Sequence, residues 1–464
     1  MKVILAGLNV EADLVKEAES ALGVEMTPEV ISAAYARISR DPRDVNILRR
    51  EARKEVIKAR RSNEAIVFDM GHSSIAEHAV LNFDIIGISR IAVEAIEHFR
   101  LASYTEKSQR YIRLGRDHVV PAEITESGFR EEFLELVETL NLYYEELYNM
   151  IIRSGSDSGT AKEDARYLMP LATSAQIGMT INARSLEYMI SRLSCHRLAE
   201  VREFSGKLAE IAHKKIPSLV KYPEPTEYYK MMPMIRERAG RVSSGRPDNH
   251  FKRVDLVDAT IDGDIRLAAG IIFSGSDASY ADSFIAASEM KKDEMAAVIA
   301  STMKELKPYD GVWREFENID MLFEVIVSAS CYAQLKRHRM TTQTVQRYST
   351  GLGVSIPESI KKAKGIGIFR KALKRSEVLY RKISDRAGIS ADYVLTNAHR
   401  RRVLVKINMR ELYHFSRLRS DSHAQWEIRE ISDMMCALAK ERFPSGGSML
   451  GGKDDFHKTK KNNA

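Results

Sequence analysis

Gln109-Arg110-Tyr111 closes a hydroxyl-rich stretch that begins Ser103-Tyr104-Thr105-Glu106-Lys107-Ser108, and the same triplet returns as Gln346-Arg347-Tyr348, 237 residues later. Asn182-Ala183-Arg184 returns as Asn408-Met409-Arg410 after 226 residues. Anchors that recur in one order at such long offsets mark a duplicated domain, not a solenoid of short units. The spacing between them predicts a parallel order of elements. In the first half these are a helix over 27–61, a strand Ala79–Ile88, a helix Ile91–Ala102, a polar loop 103–111 and helices over 128–153 and 178–193. In the second they are a helix near Lys291–Leu306, a strand Met321–Ser328, a helix Ala329–Arg339, a polar loop to Tyr348 and a helix Leu404–Leu418. In the helix over 178–193, Leu186, Met189, Ile190 and Leu193 fall at i, i+3, i+4 and i+7 and form its buried stripe.

Working outward, Pro223, Pro225, Pro233, Ser243, Ser244, Gly245 and Pro247 lie among charged residues and read as a connection. The divisions expected are a first domain over 1–222, a connection over 223–253, a second domain over 254–444 and a disordered tail over 445–464. With 44% hydrophobic residues, each domain has material for its own core. The opening MKVILAGLNV carries one basic residue and too short an apolar run for a leader, and reads as a buried first strand. The run Arg49–Arg61, with Glu51 and Glu55 interleaved, reads as the solvated face of an amphipathic helix. No stretch approaches the twenty or so apolar residues of a membrane span. Three cysteines, Cys195, Cys331 and Cys436, fit a reducing, cytoplasmic setting better than a disulfide framework.

A net charge of +7 is modest, but its concentration in Arg337–Arg339, Arg400–Arg402 and Lys458–Lys461 favours an anionic partner. Arg337-His338-Arg339 at a helix end offers forked donors to phosphate or carboxylate, although a surface basic cluster is the commoner meaning of such a triplet. Ser103–Tyr111 can hold a phosphate with hydroxyls, amides and Arg110, and an exposed turn has the same composition. Cys195 beside His196 is poor support for a nucleophile, because adjacency in sequence does not make a pair in space.

These blocks resemble the flavin-dependent thymidylate synthases, whose pattern runs RHRxxSxNxxSxRY, then ARxxLP, then NARSL with RxDSHAQWEIR. The first half matches with His72, Glu77 and His78, with Ser103–Tyr111, with Arg166 at the ARxxLP position and with Asn182 and Arg184. Its His98-Phe99-Arg100 stands at the Arg-His-Arg position, and most of the block after Arg192 is lost. The second half matches with Gln334, Arg337-His338-Arg339, Asn408, Arg410, Arg419 and SDSHAQWEIRE. It has His414 where the family commonly has Asn, Val345 in place of Ser108, and Asp392 where the ARxxLP Arg stands.

The resemblance implies an α+β fold of two tandem domains, each with helices packed on a mainly antiparallel sheet. The lack of strict βαβ alternation and of a GxGxxG after a strand agrees with that class. It implies an enzyme that methylates dUMP to dTMP, with FAD as cofactor and NADPH and methylenetetrahydrofolate as co-substrates. The dUMP residues implied are Glu106, Ser108, Gln109, Arg110 and Arg166 from the first half and Gln334, Arg337 and Arg419 from the second. Ser108, Arg110 and Arg419 are the catalytic candidates. FAD would be held by His72, His78, Arg100, His338, Arg339, Asn408, Arg410 and His414. The surviving sets are complementary, so unlike halves are expected to meet at one composite site, and two chains to form a pseudo-tetramer. Small molecules are the expected partners, with neither nucleic acid nor membrane. No metal is expected, since no carboxylate or thiol completes a ligand set with the histidines. A diverged flavoenzyme on another pyrimidine nucleotide, or a non-catalytic nucleotide-binding protein, stays open beside this reading.

Overall fold

Along Ser174–Asn182, Ala175, Ile177, Met179 and Ile181 are buried while Gln176, Gly178 and Thr180 are exposed. That period of two makes the segment a strand with one face on the core. The expected helix over 178–193 therefore starts only at Ala183, where the Asn182 side chain accepts the Ser185 amide. Its stripe Leu186, Met189, Ile190 and Leu193 is buried as expected. The second half repeats the correction: His399–Asn408 is a strand, and Asn408 caps the helix Met409–Arg419 through the Glu411 amide.

The computed structural model describes residues 1–10, 27–38, 43, 45–110, 112, 113, 115–221, 224–243 and 251–462. Nine strands form two antiparallel sheets among them: β1 (Lys2–Leu8), β2 (Val80–Ser89), β3 (Ala102–Glu106), β4 (Ser174–Asn182), β5 (Val254–Ala259), β6 (Asp320–Ser328), β7 (Thr342–Val345), β8 (Ser349–Val354) and β9 (His399–Asn408). The orders are β1-β2-β4-β3 and β5-β6-β9-β7, with β8 on the end of β9. Helices pack on both sheets, so the chain is an α+β duplication. No described helix is long and apolar enough to cross a membrane.

Several expectations are corrected. The stretch 27–61 holds three helices, Glu29–Ile38, Val45–Lys54 and Val56–Glu64, and the last two are separated by the non-helical Glu55. The MKVILAGLNV strand is a sheet edge, not a buried strand, and leaves Ile4 exposed. The loop expected after Ala102 begins as β3, and β7 occupies the matching place; Tyr111 lies outside the described residues. The connection contains a helix, Glu227–Gly240, despite Pro233, while 222, 223 and 244–250 lie outside the described residues. The expected tail is packed: Met449, Leu450 and Phe456 are buried, and Phe456–Asn462 is helical. Gly452 is there for close approach, since a Cβ on it would strike the Ser420 carbonyl. Of the expected tail, residues 463 and 464 lie outside the described residues.

The two halves do not keep separate cores. The core of the first sheet takes in Tyr348, Phe369, Leu373, Leu379, Ile383 and Leu395 from the second half. The long helices Arg130–Arg153 and Ile366–Ala387 pack together there, burying Leu136, Leu140, Tyr144 and Leu147 on one side. At about 1.5–3 kcal/mol for each large apolar side chain buried, the junction is a structural unit and not a hinge. Backbone bonds stitch it: Leu171 N–H to the Leu395 carbonyl (2.8 Å), Asn397 N–H to Met169 (2.9 Å) and Ala398 N–H to Tyr167 (2.9 Å).

Two buried carboxylates lock this junction in mirror fashion. Glu200 accepts from the Ser89 amide (2.7 Å) and hydroxyl (2.5 Å) in its own half, and from Tyr393 Oη (2.7 Å) in the other. Glu427 accepts from the Ser328 amide (3.2 Å) and hydroxyl and from Tyr167 Oη (2.9 Å). Asp164 adds a third tie, accepting from Ser359 Oγ (2.5 Å) and Trp426 Nε1 (3.1 Å). Burial pushes its carboxyl up to about 6. A folded-state value above the ordinary 3.8 means that the native state binds the proton more tightly, so the contribution of Asp164 to stability is full below pH 4 and is lost as pH rises from 4 to 6. Asp164→Asn is expected to flatten that slope in urea melts between pH 4 and 7; an unchanged slope would remove Asp164 as its source.

Candidate active site

The site begins with two capped helices. Ser89 and Ser328 end the middle strands, and their hydroxyls accept the amides of Ala92 and Cys331, starting the helices Arg90–Glu97 and Ala329–Leu335. The first helix presents Arg90 and Glu97, and the second ends at Lys336 and Arg337. β3 brings Glu106 between them. Glu106 is buried and pairs with Arg90 of its own half, and with Arg337 (3.4 Å) and Lys336 (3.9 Å) of the other. Lys336 also holds Glu97 (2.9 Å). Burial alone would raise the Glu106 pKa, but Arg90, Lys336 and Arg337 overrule it and keep the carboxylate ionised. Glu106 therefore serves these cations.

The remaining first-half residues gather beside it. Arg110 pairs with Glu163 and donates to the His423 carbonyl across the junction (3.2 Å), while Ser108 Oγ accepts the Arg110 amide (3.1 Å). Arg166 is buried and gives its Nε to the Glu163 carbonyl (3.0 Å); its Nη2 is buried without a hydrogen-bond partner. Asn397 bridges the halves, donating to Gln109 Oε1 (3.2 Å) and to the Arg166 carbonyl (3.0 Å).

From the second half, Arg419 donates through Nε to His338 Nε2 (2.9 Å), and through its other nitrogens to Gln334 Oε1 (3.2 Å) and the Gln334 carbonyl (3.3 Å). These partners are all neutral. Burial, with Arg337 and Arg110 nearby, brings the Arg419 guanidinium down to about 10. The His338 ring is also buried. Because Nε2 accepts from Arg419, Nδ1 carries the proton and donates toward Glu411 (3.3 Å). Desolvation, Arg419 and His414 hold the imidazole well below its ordinary pKa, so it stays neutral. Glu411, His338, Arg419 and Gln334 thus form a chain that fixes the direction of Arg419. Six cationic side chains, Arg90, Arg110, Arg166, Lys336, Arg337 and Arg419, stand here against Glu97, Glu106 and Glu163. The excess positive charge and the unpartnered Arg166 nitrogen suit an anionic ligand.

The flavin candidates are less gathered. Arg339 donates to the carbonyls of Arg100 (3.2 Å) and Ala102, and Arg100 to that of Thr341 (3.5 Å), so these two arginines meet across the junction. His338 and His414 lie with ring centroids 5.9 Å apart. Asn408 is occupied as a helix cap, and Arg410 ties down the Val312 carbonyl (2.9 Å) and Glu317 (3.3 Å). His72 and His78 stand at the start of β2, with the His78 ring against Tyr35, and no described hydrogen bond or ring contact joins them to the others. His72, His78, Arg100, Arg339 and His414 are solvent-facing cationic or donor groups. In chemistry this donor set fits a pyrophosphate. The reason given for expecting no metal is corrected: Glu411 does stand beside the histidines, with ligand atoms of His338, Glu411 and His414 within 4.8 Å of one another. The Asn408 cap puts Glu411 in the first turn of its helix, and sequence spacing did not register that placement.

Arg90, Glu163, Lys336, Asn397 and Glu411 were missed by the sequence reading. For Arg90 a signal existed, since an arginine directly after the Ser89 cap is an unusual residue to bury. The others become relevant only when the two halves meet.

Fold and site together define a duplicated α+β protein that gathers cations from both repeats around one junction. The family described as thymidylate synthase complementing protein matches residues 22–218 and again 255–445, and the chain belongs to that family, in a tandem duplicated form. A UPF0159 protein of Chlamydia muridarum is 26% identical over 422 residues, covering 83% of this chain and 79% of the relative. Another, from Thermoplasma acidophilum, is 24% identical over 475 residues, covering 89% and 93%. The flavin-dependent thymidylate synthase of Thermococcus kodakarensis is 37% identical over 145 residues, covering 31% of this chain and 58% of the relative. A crystal structure of the Helicobacter pylori flavin-dependent thymidylate synthase with FAD and dUMP aligns with 48% of this chain and all of that chain, at 18% identity and a TM-score of 0.35.

Proposed function

We propose that the chain is an FAD-dependent thymidylate synthase that methylates dUMP, with methylenetetrahydrofolate as carbon donor and NADPH as reductant. The observation that carries this reading is the excess of cations over carboxylates at the junction. In it Arg110, Arg166 and Arg337 grip the phosphate, and Arg419, aimed by His338 and Gln334, stabilises negative charge as it develops on the pyrimidine. The residues that would hold FAD are Arg100, Arg339, Asn408, Arg410, His338, His414, His72 and His78; when bound, the reduced flavin supplies the hydride for the transferred carbon. Cys331 is a poor nucleophile, because it is fully buried and burial raises its thiol well above the ordinary value. The first unit, 1–222, and the second, 254–444, act as one functional body joined through 223–253. Two such chains form a pseudo-tetramer that works in the cytoplasm on small molecules.

The visible spectrum of freshly purified protein tests this. Bound flavin whose absorbance shifts on adding dUMP is expected. A colourless protein that takes up no added FAD would leave non-catalytic nucleotide binding as the better reading, and the UPF0159 description of relatives that span most of the chain keeps that comparison worth making.

A further inference from the structure

The duplication creates a second junction, where the second-half loop Val345-Gln346-Arg347 faces the first-half helices. It lines an open cavity of about 560 Å³. That volume lies in the range of small-molecule sites, roughly 300–1,000 Å³. Its charges are arranged differently from those at the first junction. Asp392 occupies the repeat position of Arg166 and pairs with Arg347 (2.6 Å), and Arg401 pairs with Glu94 (2.8 Å), which also accepts from Tyr348 Oη (2.7 Å). The second-half wall is therefore neutralised.

The opposite wall is not. Arg192 has its guanidinium over the Tyr229 ring (4.7 Å to the centroid) and against Met232 Sδ (2.6 Å), and no carboxylate among the described residues pairs with it. Arg236 comes from the connecting helix Glu227–Gly240 and lines the same cavity with no ion pair among the described residues. Tight surroundings, with Arg236, Arg192 and Arg100 close by, lower the pKa of His98, as a positively charged wall should. The apolar lining comes from Tyr188, Tyr332, Leu101 and Ile389. Positive charge beside apolar and aromatic surface in one cavity gives the two features an anion carrying a flat ring requires.

We propose that this second cavity is a separate binding site for an organic anion bearing a flat ring, with Arg192 and Arg236 holding the anionic group and the connecting helix forming part of the wall. The connection between the repeats is then part of a ligand site. This inference stands apart from the nucleotide reading of the first junction.

The probe is 8-anilinonaphthalene-1-sulfonate, a ring-bearing anion whose fluorescence rises on leaving water, titrated into the full-length protein with and without saturating dUMP. Expected are a saturable site unaffected by dUMP or by Arg337→Ala, and a loss of affinity of about tenfold or more in Arg236→Glu and in Arg192→Ala. Arg236 is exposed, so its replacement spares the fold if the Arg192 variant does not. Asp392→Asn should tighten the probe, since it frees Arg347. N-phenyl-1-naphthylamine, the same rings without the sulfonate, should bind at least tenfold more weakly than the sulfonate. Equal binding of the two compounds, or unchanged affinity in Arg236→Glu, overturns the proposal. Displacement by dUMP overturns it too, by returning the probe to the first junction.

Discussion

Arg110→Ala and Arg337→Ala are each expected to weaken dUMP binding by roughly 100-fold, with no recovery when the two variants are mixed. A charge-assisted hydrogen bond to phosphate is worth about 1.5–3 kcal/mol, or roughly 10- to 150-fold in affinity. Neither substitution strips the fold of its supports. Without Arg337, Glu106 still has Arg90 and Lys336; without Arg110, Glu163 is left on a half-open wall. The mixing result follows from the connectivity. Arg110 reaches the His423 carbonyl and Arg337 reaches Glu106 within one chain, so every mixed dimer carries one broken arginine in each site. Were the halves of different chains to build the site, random pairing would leave about one site in four intact. Calorimetric titration of dUMP into the mixed and refolded pair decides it, and recovery of a quarter of the binding would rule out a site made within the chain.

The duplication and the complementary survival of motifs were legible because they depend on residue identity at a few positions. What failed was the period of the segments leading into those motifs. Ser174–Asn182 and His399–Asn408 run directly into the helices Ala183–Leu193 and Met409–Arg419. Each apolar stretch thus spans a change from period two to period 3.6, and a single window over both reads as helix. The expected separate cores and disordered tail failed for another reason. Glycines at close contacts and serines that hydrogen-bond across a junction look like loop residues until the partner is present. At the site, Arg337 and Arg419 could be picked out as cations in a recognisable pattern. Glu106 could not be seen as an anchor, because Arg90 and the adjacent pair Lys336 and Arg337 come from two distant places that meet it only in the fold. One signal was available and went unread. Glu200-Val201-Arg202-Glu203 repeats Glu427-Ile428-Arg429-Glu430, so the first half had kept the structural end of the block it was judged to have lost.

That repeated glutamate carries the largest expected stability effect. Glu427 is fully buried, and besides Ser328 and Tyr167 it accepts from Ser355 Oγ (2.5 Å) and pairs with Arg253 (3.1 Å). Glu427→Ala leaves all of these donors and one cation facing a hole. Breaking a buried network from one side costs about 3–5 kcal/mol. Glu200 has the same place in the other repeat but no cationic partner among the described residues, and burial raises its pKa, so its charged form is less well supported. Glu200→Ala is therefore expected to cost less, about 2–3 kcal/mol, and Tyr393→Phe, which removes one donor to it, about 1 kcal/mol. Glutamine separates the two further: Glu200→Gln keeps most of its hydrogen bonds, whereas Glu427→Gln also strands Arg253. Urea midpoints of the five variants test this order. If Glu427→Ala unfolds no more easily than Glu200→Ala, the Arg253 pair adds nothing, and the two halves of the junction are energetically as symmetric as they are in sequence.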